Sequence, residues 1–455
     1  METTIVDEIG EYYLENELGI YKGKTISKAV EQGIIQKIKY LLCYDQLTAL
    51  PNRQMFSVYC KQLKGNSFTA ILIDIAKFKQ INVVYGDKIG DLVLVDIAER
   101  LSHIVSQVEG VVIRYSGNEF MLLLKEGSVS GTIENFYNKK VLPLISLVYS
   151  EQRPIYMQFN SVAITYPNQS CNMDDMLTKM YVMIRESKER NVEELLEFDP
   201  RVYEKYIREE SIKNKLQAAI KADEFILFYQ PIVDANQKIC KAEALIRWVN
   251  EELGFVSPID FISIAESTHI IVDLGYWIIE RASKDLSYLF SRGEEVQISI
   301  NISPVQLMED SFVEKAKHIL DKHNIDYKYI CFEITESILL QERGIVINNI
   351  RKLQDMGITM ALDDFGTGYS AFSYLKEYNL DILKIDKAFV DDPSEKTVAV
   401  VQGMYQIAQA LDMQVIIEGV ETQDQFNKFK KFGLIQGYFF SKPLAWPDFI
   451  RKLGS

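Results

Sequence analysis

From about residue 211 onward, short apolar runs alternate with longer stretches whose apolar residues recur at helical spacing. Eight such runs occur, which is the number and rhythm of a closed barrel built from eight β/α units. They are ILFYQPIV, AEALIRW, VQISINIS, YICFEITES, ITMALDDFG, ILKID, QVIIEGVE and LIQGYFF. The pattern therefore predicts a TIM-like (β/α)8 barrel over residues 211–455.

Nearly every run carries a polar residue at or near its downstream end. In a β/α barrel the carboxyl ends of the strands meet at one face, where such barrels hold their functional groups. We therefore expect one mouth to contain Gln230, Glu243, Asn301, Glu333, Asp363, Asp364, Lys384, Glu418 and Gln436.

From about residue 45 to residue 200, predicted strands and helices alternate. SFTAILIDIA is predicted as a strand, and GVVIRYSGNEFMLLLKE as a hairpin that turns at SGN. Between them, KIGDLVLVDIAERLSHIVSQV has helical periodicity. Residues 1–44 are predicted as a helical linker segment, because an apolar stripe runs from Ile26 to Leu41, and residues 201–210 as a linker helix.

Composition narrows the classes of function. Hydrophobic residues make up 47% of the chain and charged residues 25%, as in soluble globular proteins. No apolar run approaches the ~18 residues of a membrane span, so we predict a cytoplasmic protein without membrane contact. A net charge of −14 argues against nucleic acid as a partner, which requires a basic face. The five cysteines and four histidines form no metal-binding motif.

The polar strand ends form an oxygen-rich and mostly anionic set. Carboxylates crowded together repel each other unless cations lie among them. Oxygen ligands without histidine or cysteine favour Mg²⁺ or Mn²⁺, and adjacent aspartates can hold two ions ~3.5–4 Å apart for an in-line phosphodiester displacement. Lys384 would then lie near the attacking water, and Arg247 near a phosphate oxygen. Each residue taken singly has an ordinary structural explanation, and only their recurrence at strand ends indicates a site.

The sequence EAL at 243–245, followed by IRW, is similar to the signature of the EAL family of cyclic di-GMP phosphodiesterases. The similarity runs from about 211 to 450 and includes YQPIVD, NIS, EITES, LDDFGTGYS, LKIDKAF, EGVET and QGYFFSKPL. It implies hydrolysis of cyclic di-GMP to linear pGpG by a site that holds two Mg²⁺ or Mn²⁺ ions.

The resemblance to the EAL family assigns roles to individual residues. The implied metal ligands are Glu243, Asn301, Glu333, Asp363, Asp364 and Glu418. The implied catalytic residues are Glu243, Glu418, Lys384, which positions the water, and Glu336, which braces the loop after LDDFG. The implied substrate contacts are Gln230, Arg247 and Gln436.

Residues 45–200 resemble the GGDEF family of diguanylate cyclases, which implies an α+β domain with a central sheet, but positions that carry its chemistry are changed. The signature reads SGNEF at 116–120. Asn118 stands where the family has an acidic metal ligand, and Glu186 where it has a phosphate-binding lysine. Ser116 places a Cβ where the turn is expected to need the freedom of glycine. The resemblance therefore implies a domain without cyclase activity that regulates the barrel or mediates formation of a homodimer.

Several positions of the GGDEF-like nucleotide site keep the residue types of the family. They are Asp74, Lys79, Asn82, Asp91 and Glu119. They imply a remaining site for GTP, and a purely structural domain is the alternative.

Two alternatives to a dedicated hydrolase follow from the same motifs. A catalytically inactive receptor for cyclic di-GMP is disfavoured because every implied metal ligand is present. A bifunctional cyclase and phosphodiesterase is disfavoured by Asn118 together with Glu186.

Overall fold

The computed structural model describes residues 37–38, 40–62, 67–150, 153–339, 344–366, 378–391 and 394–454. The chain divides into two compact units, Met1–Ile207 and Arg208–Ser455. Most of the predicted amino-terminal helical segment lies outside the described residues, and its described residues 37–38 and 40–43 are helical. None of the helices in the described part of the chain has the length and apolar character that crossing a bilayer requires.

Unit 1 contains a central sheet whose strands follow the order β2-β3-β1-β6-β7 and a separate hairpin of β4 and β5. The strands are β1 (Phe68–Ile75), β2 (Gly110–Ser116), β3 (Glu119–Lys125), β4 (Leu147–Ser150), β5 (Arg153–Tyr156), β6 (Phe159–Tyr166) and β7 (Leu196–Glu197). The helices are α1 (Arg53–Gln62), α2 (Phe78–Tyr85), α3 (Asp87–Val105), α4 (Ile133–Phe136), α5 (Leu142–Ile145) and α6 (Met173–Arg190), with a π-helical turn at Tyr137–Val141. The predicted α+β domain with a central sheet is confirmed.

Strand β1 is apolar along its whole length because both faces of the sheet are covered. Ile71 and Ile73 belong to a buried cluster that includes residues of α3. Leu72 belongs to a second cluster, which includes residues of α6. A strand buried on both faces needs no alternation of polar and apolar residues.

The predicted hairpin joins β2 and β3 through Gly117 and Asn118. Ser116 is the last residue of β2 and is not among the residues with positive φ. The expectation that this position needs the backbone freedom of glycine is therefore wrong for this chain, because an extended strand residue accepts any side chain.

Unit 2 contains an eight-stranded closed barrel in the order β9-β11-β12-β13-β14-β15-β16-β8, with β8 pairing back to β9. The strands are β8 (Phe225–Val233), β9 (Ile239–Asn250), β10 (Gly254–Val256), β11 (Gln297–Asn301), β12 (Ile330–Thr335), β13 (Thr359–Phe365), β14 (Ile382–Ile385), β15 (Gln414–Ile417), β16 (Leu434–Gln436) and β17 (Leu444–Ala445). The predicted TIM-like barrel is confirmed.

Helices connect the barrel strands. They are α8 (Pro258–Ser267), α9 (Ile271–Ser291), α10 (Pro304–Leu307), α11 (Phe312–Lys322), α12 (Glu336–Leu339), α13 (Gly344–Asp355), α14 (Ala388–Asp391), α15 (Glu395–Ala410) and α16 (Gln423–Phe429), with α17 (Trp446–Leu453) near the carboxyl end. One further helix, α7 (Pro200–Lys221), covers the predicted linker 201–210 and continues beyond it. The predicted domain limits remain a prediction.

Strand β8 departs from the repeated β/α pattern, because it runs antiparallel to both of its barrel neighbours, β9 and β16. Residues 234–238 alone connect β8 to β9, whereas a parallel crossover needs about a dozen residues or more. The Asp234 carboxylate accepts hydrogen bonds from the backbone N–H groups of Asn236 (2.8 Å) and Lys238 (2.9 Å), which fixes the turn. The barrel therefore begins with a hairpin.

Candidate functional site

An apolar layer inside the barrel lies next to a polar layer. The apolar layer is a buried cluster formed by Ile232, Cys331, Ala361, Ile382 and Ile416. Side chains two positions apart on a strand point to the same side. In four parallel strands the residue two positions onward is charged: Glu333, Asp363, Lys384 and Glu418. Because β8 runs in the opposite direction, its member of the polar layer, Gln230, comes two positions before Ile232.

Lys384 is 1% exposed and contacts carboxylates from four other strand ends. Its Nζ atom lies 2.7 Å from Glu333 Oε2, 2.9 Å from Asp363 Oδ1, 2.7 Å from Glu418 Oε1 and 3.7 Å from Glu243 Oε2. Burial opposes the ammonium charge, but attraction to these carboxylates outweighs it and holds the pKa of Lys384 well above its ordinary value. The four carboxylates therefore favour the ammonium form of Lys384.

The carboxylates around Lys384 carry more negative charge than one ammonium group balances. Burial raises the pKa of Glu333 well above its ordinary value, although Lys384 acts in the opposite direction. Burial also raises the pKa of Glu418 to about 8, and burial together with the charge of Asp363 raises the pKa of Asp364. Additional cations would favour the ionised form of all these groups.

Two overlapping groups of carboxylate oxygens lie close enough to share cations. Oxygens of Glu243, Glu333 and Asp363 lie within 4.8 Å of one another, and so do oxygens of Asp363, Asp364 and Glu418. Glu333 Oε1 is buried without a hydrogen-bond partner among the described residues, so its lone pairs are available to a cation. The donors are all oxygen atoms, as Mg²⁺ and Mn²⁺ prefer, and the residues present therefore fit such ions.

An irregularity in strand β13 explains how two successive aspartates serve one site. Neighbouring strand residues normally point to opposite faces. The pairing of β13 with β14 shifts register between Leu362 and Phe365, and Asp364 has a φ of 55°. This bulge turns the Asp364 side chain toward the group that also contains Asp363.

Amide side chains hold Glu243 in place. Asn301 Nδ2 donates to Glu243 Oε1 (2.7 Å), and Gln436 Nε2 donates to Glu243 Oε2 (2.6 Å). Gln436 Nε2 also lies 3.3 Å from Gln230 Oε1, and Gln230 Nε2 donates to the carbonyl oxygen of Ser441 (3.3 Å). Asn301 and Gln436 thus orient a candidate metal ligand, and Gln230 supports Gln436. Contact of Gln230 and Gln436 with substrate remains a prediction.

A cavity of about 620 Å³ opens beside the candidate ligands. Its polar lining includes Asn301, Glu333, Asp364 and Arg247, and the Arg247 guanidinium lies over the Phe228 ring at 5.6 Å. Its apolar lining includes Pro258, Ile259, Ile262, Ile302 and Pro304. The strand-end pattern did not reveal this apolar wall, because part of it belongs to helix α8. A cavity with carboxylates at one end and an apolar wall suits a ligand that joins a phosphate to a flat base.

Glu336 is the first residue of helix α12 and is buried. Neither of its carboxylate oxygens has a hydrogen-bond partner among the described residues. Residues 367–370 of the LDDFGTGYS motif lie outside the part of the chain that is described. The bracing role of Glu336 therefore remains a prediction.

Unit 1 has its own cavity of about 630 Å³, which lies at the carboxyl end of β1. Four of the predicted nucleotide-site residues line it, namely Asp74, Lys79, Asn82 and Glu119. Asp91, in the first turns of α3, is not among the described lining residues. The structure therefore brings together most of this predicted set, but not all of it.

Two residues that the sequence analysis missed, Asn160 and Lys188, contact Asp74 in the unit 1 cavity. Asn160 Nδ2 donates to Asp74 Oδ2 (3.2 Å), and Lys188 Nζ lies 2.9 Å from the same oxygen. The motif comparison drew attention to Glu186 instead, which pairs with Arg190 at 2.5 Å. The sequence could have indicated Lys188, because it is a lysine on the same helix, two residues after Glu186.

Unit 2 is thus a closed barrel whose mouth holds carboxylates around one buried lysine, and unit 1 is an α+β domain with a separate polar cavity. The family model described as EAL domain matches residues 213–443, and that described as diguanylate cyclase, GGDEF domain, matches residues 42–193. The chain belongs to the EAL family and carries a GGDEF domain before its EAL domain. The resemblance drawn from the motifs is confirmed.

Relatives in this family include named phosphodiesterases. The chain is 30% identical to the cyclic di-GMP phosphodiesterase NbdA of Pseudomonas aeruginosa, over 91% of this chain and 54% of NbdA. It is 27% identical to the bifunctional diguanylate cyclase/cyclic di-GMP phosphodiesterase MucR of the same organism, over 89% of this chain and 60% of MucR. The chain spans between about half and two thirds of the length of such curated relatives.

A solved structure supports the same family assignment. The phosphodiesterase of MucR (PaMucR) in complex with cyclic di-GMP matches with a TM-score of 0.50 and 27% identity. The match covers 52% of this chain and 99% of that one.

Proposed function

We propose that unit 2 is a metal-dependent phosphodiesterase that hydrolyses cyclic di-GMP to linear pGpG. The observation that carries the proposal is the ring of carboxylates around the buried ammonium of Lys384, which together with Asp364 forms both groups of oxygens suited to cations. Membership of the EAL family and the activity named for NbdA support the choice of substrate.

The cavity beside the carboxylates is suited to one half of the substrate. Its apolar wall can pack against a guanine base, since a base has two apolar faces and a polar edge. Arg247 is held at the rim by its hydrogen bond to the carbonyl oxygen of Ile246 (2.8 Å) and by the Phe228 ring. The guanidinium is therefore ready to pair with a phosphate oxygen.

Hydrolysis adds a water oxygen to phosphorus and breaks the bond from phosphorus to the 3′ oxygen of the ribose, which leaves and takes up a proton. Divalent ions, when bound by Glu243, Asn301, Glu333, Asp363, Asp364 and Glu418, supply positive charge that stabilises the transition state. Lys384 contacts four carboxylates that favour its ammonium form, so we assign it a role as a hydrogen-bond donor and not as the base. Its role is to donate a hydrogen bond that holds the attacking water and to offset negative charge, while a carboxylate of the same layer receives the proton of that water.

Incubation of the full chain with cyclic di-GMP and Mg²⁺, followed by chromatography, tests this proposal. We expect pGpG to accumulate. Tight binding of cyclic di-GMP without turnover would contradict the proposed hydrolysis and would favour the receptor alternative.

Affinity for Mg²⁺ is expected to rise with pH. A carboxylate must lose its proton before it binds a cation, and the pKa of Glu418 is raised to about 8. Below that pH protons compete with Mg²⁺, so affinity should increase by up to about tenfold per pH unit for each proton released and level off above about pH 8. Calorimetry between pH 6 and 9, in two buffers of different ionisation enthalpy, measures both affinity and proton release.

The variant Glu418→Gln provides the comparison for the pH experiment. It has one titrating ligand fewer, so its affinity should be lower and its dependence on pH shallower. An affinity that does not change with pH in the parent protein would contradict the assignment.

We further propose that unit 1 binds GTP or a related guanine nucleotide, has no cyclase activity and regulates unit 2. Asn82 supports nucleotide binding because it lines the cavity beside Asp74 and Lys79. Asn118 and Glu186 remove charge that a triphosphate site needs. A site can bind a nucleotide without stabilising the transition state for its reaction.

No cyclic di-GMP is therefore expected when the chain is incubated with GTP and Mg²⁺. Calorimetry with GTP should show weak binding that the Asn82→Ala substitution removes. If binding is coupled to the barrel, GTP should change phosphodiesterase activity by a few-fold to ~100-fold. Absence of heat with GTP, GDP and GMP in the parent protein, or equal heat in the variant, would leave unit 1 as a structural domain.

A further inference from the structure

Both oxygens of the Asp74 carboxylate already have partners within unit 1. Asp74 is 5% exposed, and its Oδ1 atom accepts a hydrogen bond from Asn118 Nδ2 at 2.7 Å. Its Oδ2 atom accepts from Asn160 Nδ2 and lies 2.9 Å from Lys188 Nζ. The buried negative charge is therefore compensated by the protein itself.

Asn118 also occupies a second acceptor that a cation would use. Its Nδ2 group donates to the carbonyl oxygen of Ile75 (2.9 Å) as well as to Asp74. A divalent ion at this position would have to displace both the amide of Asn118 and the ammonium of Lys188. The metal site that the GGDEF resemblance implies at Asp74 therefore does not fit the residues present.

We propose that the unit 1 cavity is a metal-independent nucleotide site in which the Lys188 ammonium takes the place of a divalent ion. This inference rests on the proposed binding of a nucleotide by unit 1. An ammonium group has three donors, and Lys188 needs only one of them for Asp74. The side chain of Lys188 is 52% exposed, so its other donors can reach a phosphate group of a ligand in the cavity.

The charge of the lining determines which nucleotides the site accepts. Three carboxylates, Asp74, Glu119 and Glu193, face three lysines, Lys77, Lys79 and Lys188, so the lining is neutral overall. Without a metal ion, such a lining cannot compensate the charge of a triphosphate. The ligand class is therefore a guanine nucleotide of low charge, with a monophosphate bound better than a triphosphate.

Calorimetry of the full chain with GMP, GDP and GTP tests the proposal, first in EDTA and then in Mg²⁺. We expect binding in EDTA, with affinity falling in the order GMP, GDP, GTP. For GMP, the affinity in Mg²⁺ should equal that in EDTA. Cyclic di-GMP at saturating concentration should be present in the EDTA series, so that the barrel does not take up the titrated nucleotide.

Two substitutions separate a lysine-based site from a metal-based site. Lys188→Ala should weaken GMP binding in EDTA by about 10- to 100-fold, the effect of losing a hydrogen bond to a charged group. Asp74→Asn should leave GMP binding in EDTA unchanged or tighter, because it releases the Lys188 ammonium. A site that used Asp74 as a metal ligand would instead lose binding in this variant.

Lys125→Ala is the matched control. Lys125 pairs with Glu109 at 2.5 Å and ends strand β3, whose first residue, Glu119, lines the cavity. The Lys125→Ala substitution removes a lysine and an ion pair at the end of β3 far from the cavity, and it should leave GMP binding unchanged.

The possible outcomes distinguish failure of the metal-independent site from failure of the proposal that unit 1 binds a nucleotide. Binding that requires Mg²⁺, or that is tightest for GTP, would overturn metal independence and leave nucleotide binding intact. No binding of any nucleotide in either condition would overturn both. A Lys188→Ala variant that binds GMP as the parent does would show that Lys188 has no part in the site.

Discussion

Replacing Lys384 by methionine is expected to lower the turnover of cyclic di-GMP by about 10² to 10³, the effect of removing one preorganised electrostatic group from an active site. Methionine fills similar space but has neither the donor that holds the water nor the charge that offsets Glu333, Asp363 and Glu418. Initial rates of pGpG formation at saturating substrate measure the change. Loss of this buried ammonium leaves the surrounding carboxylates uncompensated, so the variant should be measured with Mg²⁺ present to balance their charge.

The matched control is Lys428→Met, which removes an exposed lysine paired with Asp424 at 2.7 Å and should leave turnover unchanged. Calorimetry should show that Lys384→Met still binds Mg²⁺ and cyclic di-GMP, whereas Glu243→Ala should lose affinity for Mg²⁺. Near-full turnover by Lys384→Met would show that its assignment as the water-positioning residue is wrong.

Removal of metal is expected to abolish turnover altogether. Without divalent cations the carboxylates of the mouth repel an incoming phosphate, because the single positive charge of Lys384 does not balance them. Product formation should stop in EDTA and return when Mg²⁺ or Mn²⁺ is added in excess. Chromatography of the same reaction before and after each addition provides the measurement.

Calcium serves as a control that separates the charge of the metal ion from its coordination geometry. It carries the same charge as Mg²⁺, but its larger and less regular coordination sphere does not impose the octahedral arrangement. We therefore expect Ca²⁺ to occupy the site and inhibit. Undiminished turnover in EDTA would contradict the metal-dependent mechanism.

The sequence alone was sufficient to predict the barrel and the composition of its mouth. The reason is that side chains two positions apart on a strand point to the same side. In successive strands a charged residue therefore follows two positions after an apolar interior residue, as Lys384 follows Ile382 and Glu418 follows Ile416. The strand-end pattern thus indicated which residues lie inside the barrel and in which direction the charged side chains point.

Other features depend on how the strands pair, and a single sequence does not reveal this pairing. The bulge that places Asp364 beside Asp363 arises from the register of β13 against β14. The direction of β8 follows from the short connection after Val233, which was visible but not weighed. Lys188 was missed because its role depends on a contact with Asp74, which is more than 100 residues away in the sequence.

The antiparallel first strand also has a consequence for folding during synthesis. Closure of the barrel pairs Val233 of β8 with Ile435 of β16, roughly 200 residues later in the chain. Contacts between such distant segments form slowly, because a long loop must be ordered before they contribute any free energy. Until Leu434–Gln436 has left the ribosome, β8 and β15 each keep an unpaired edge. Exposed strand edges are templates for aggregation, so the nascent chain exposes such edges for longer than a protein whose first and last strands lie close in sequence.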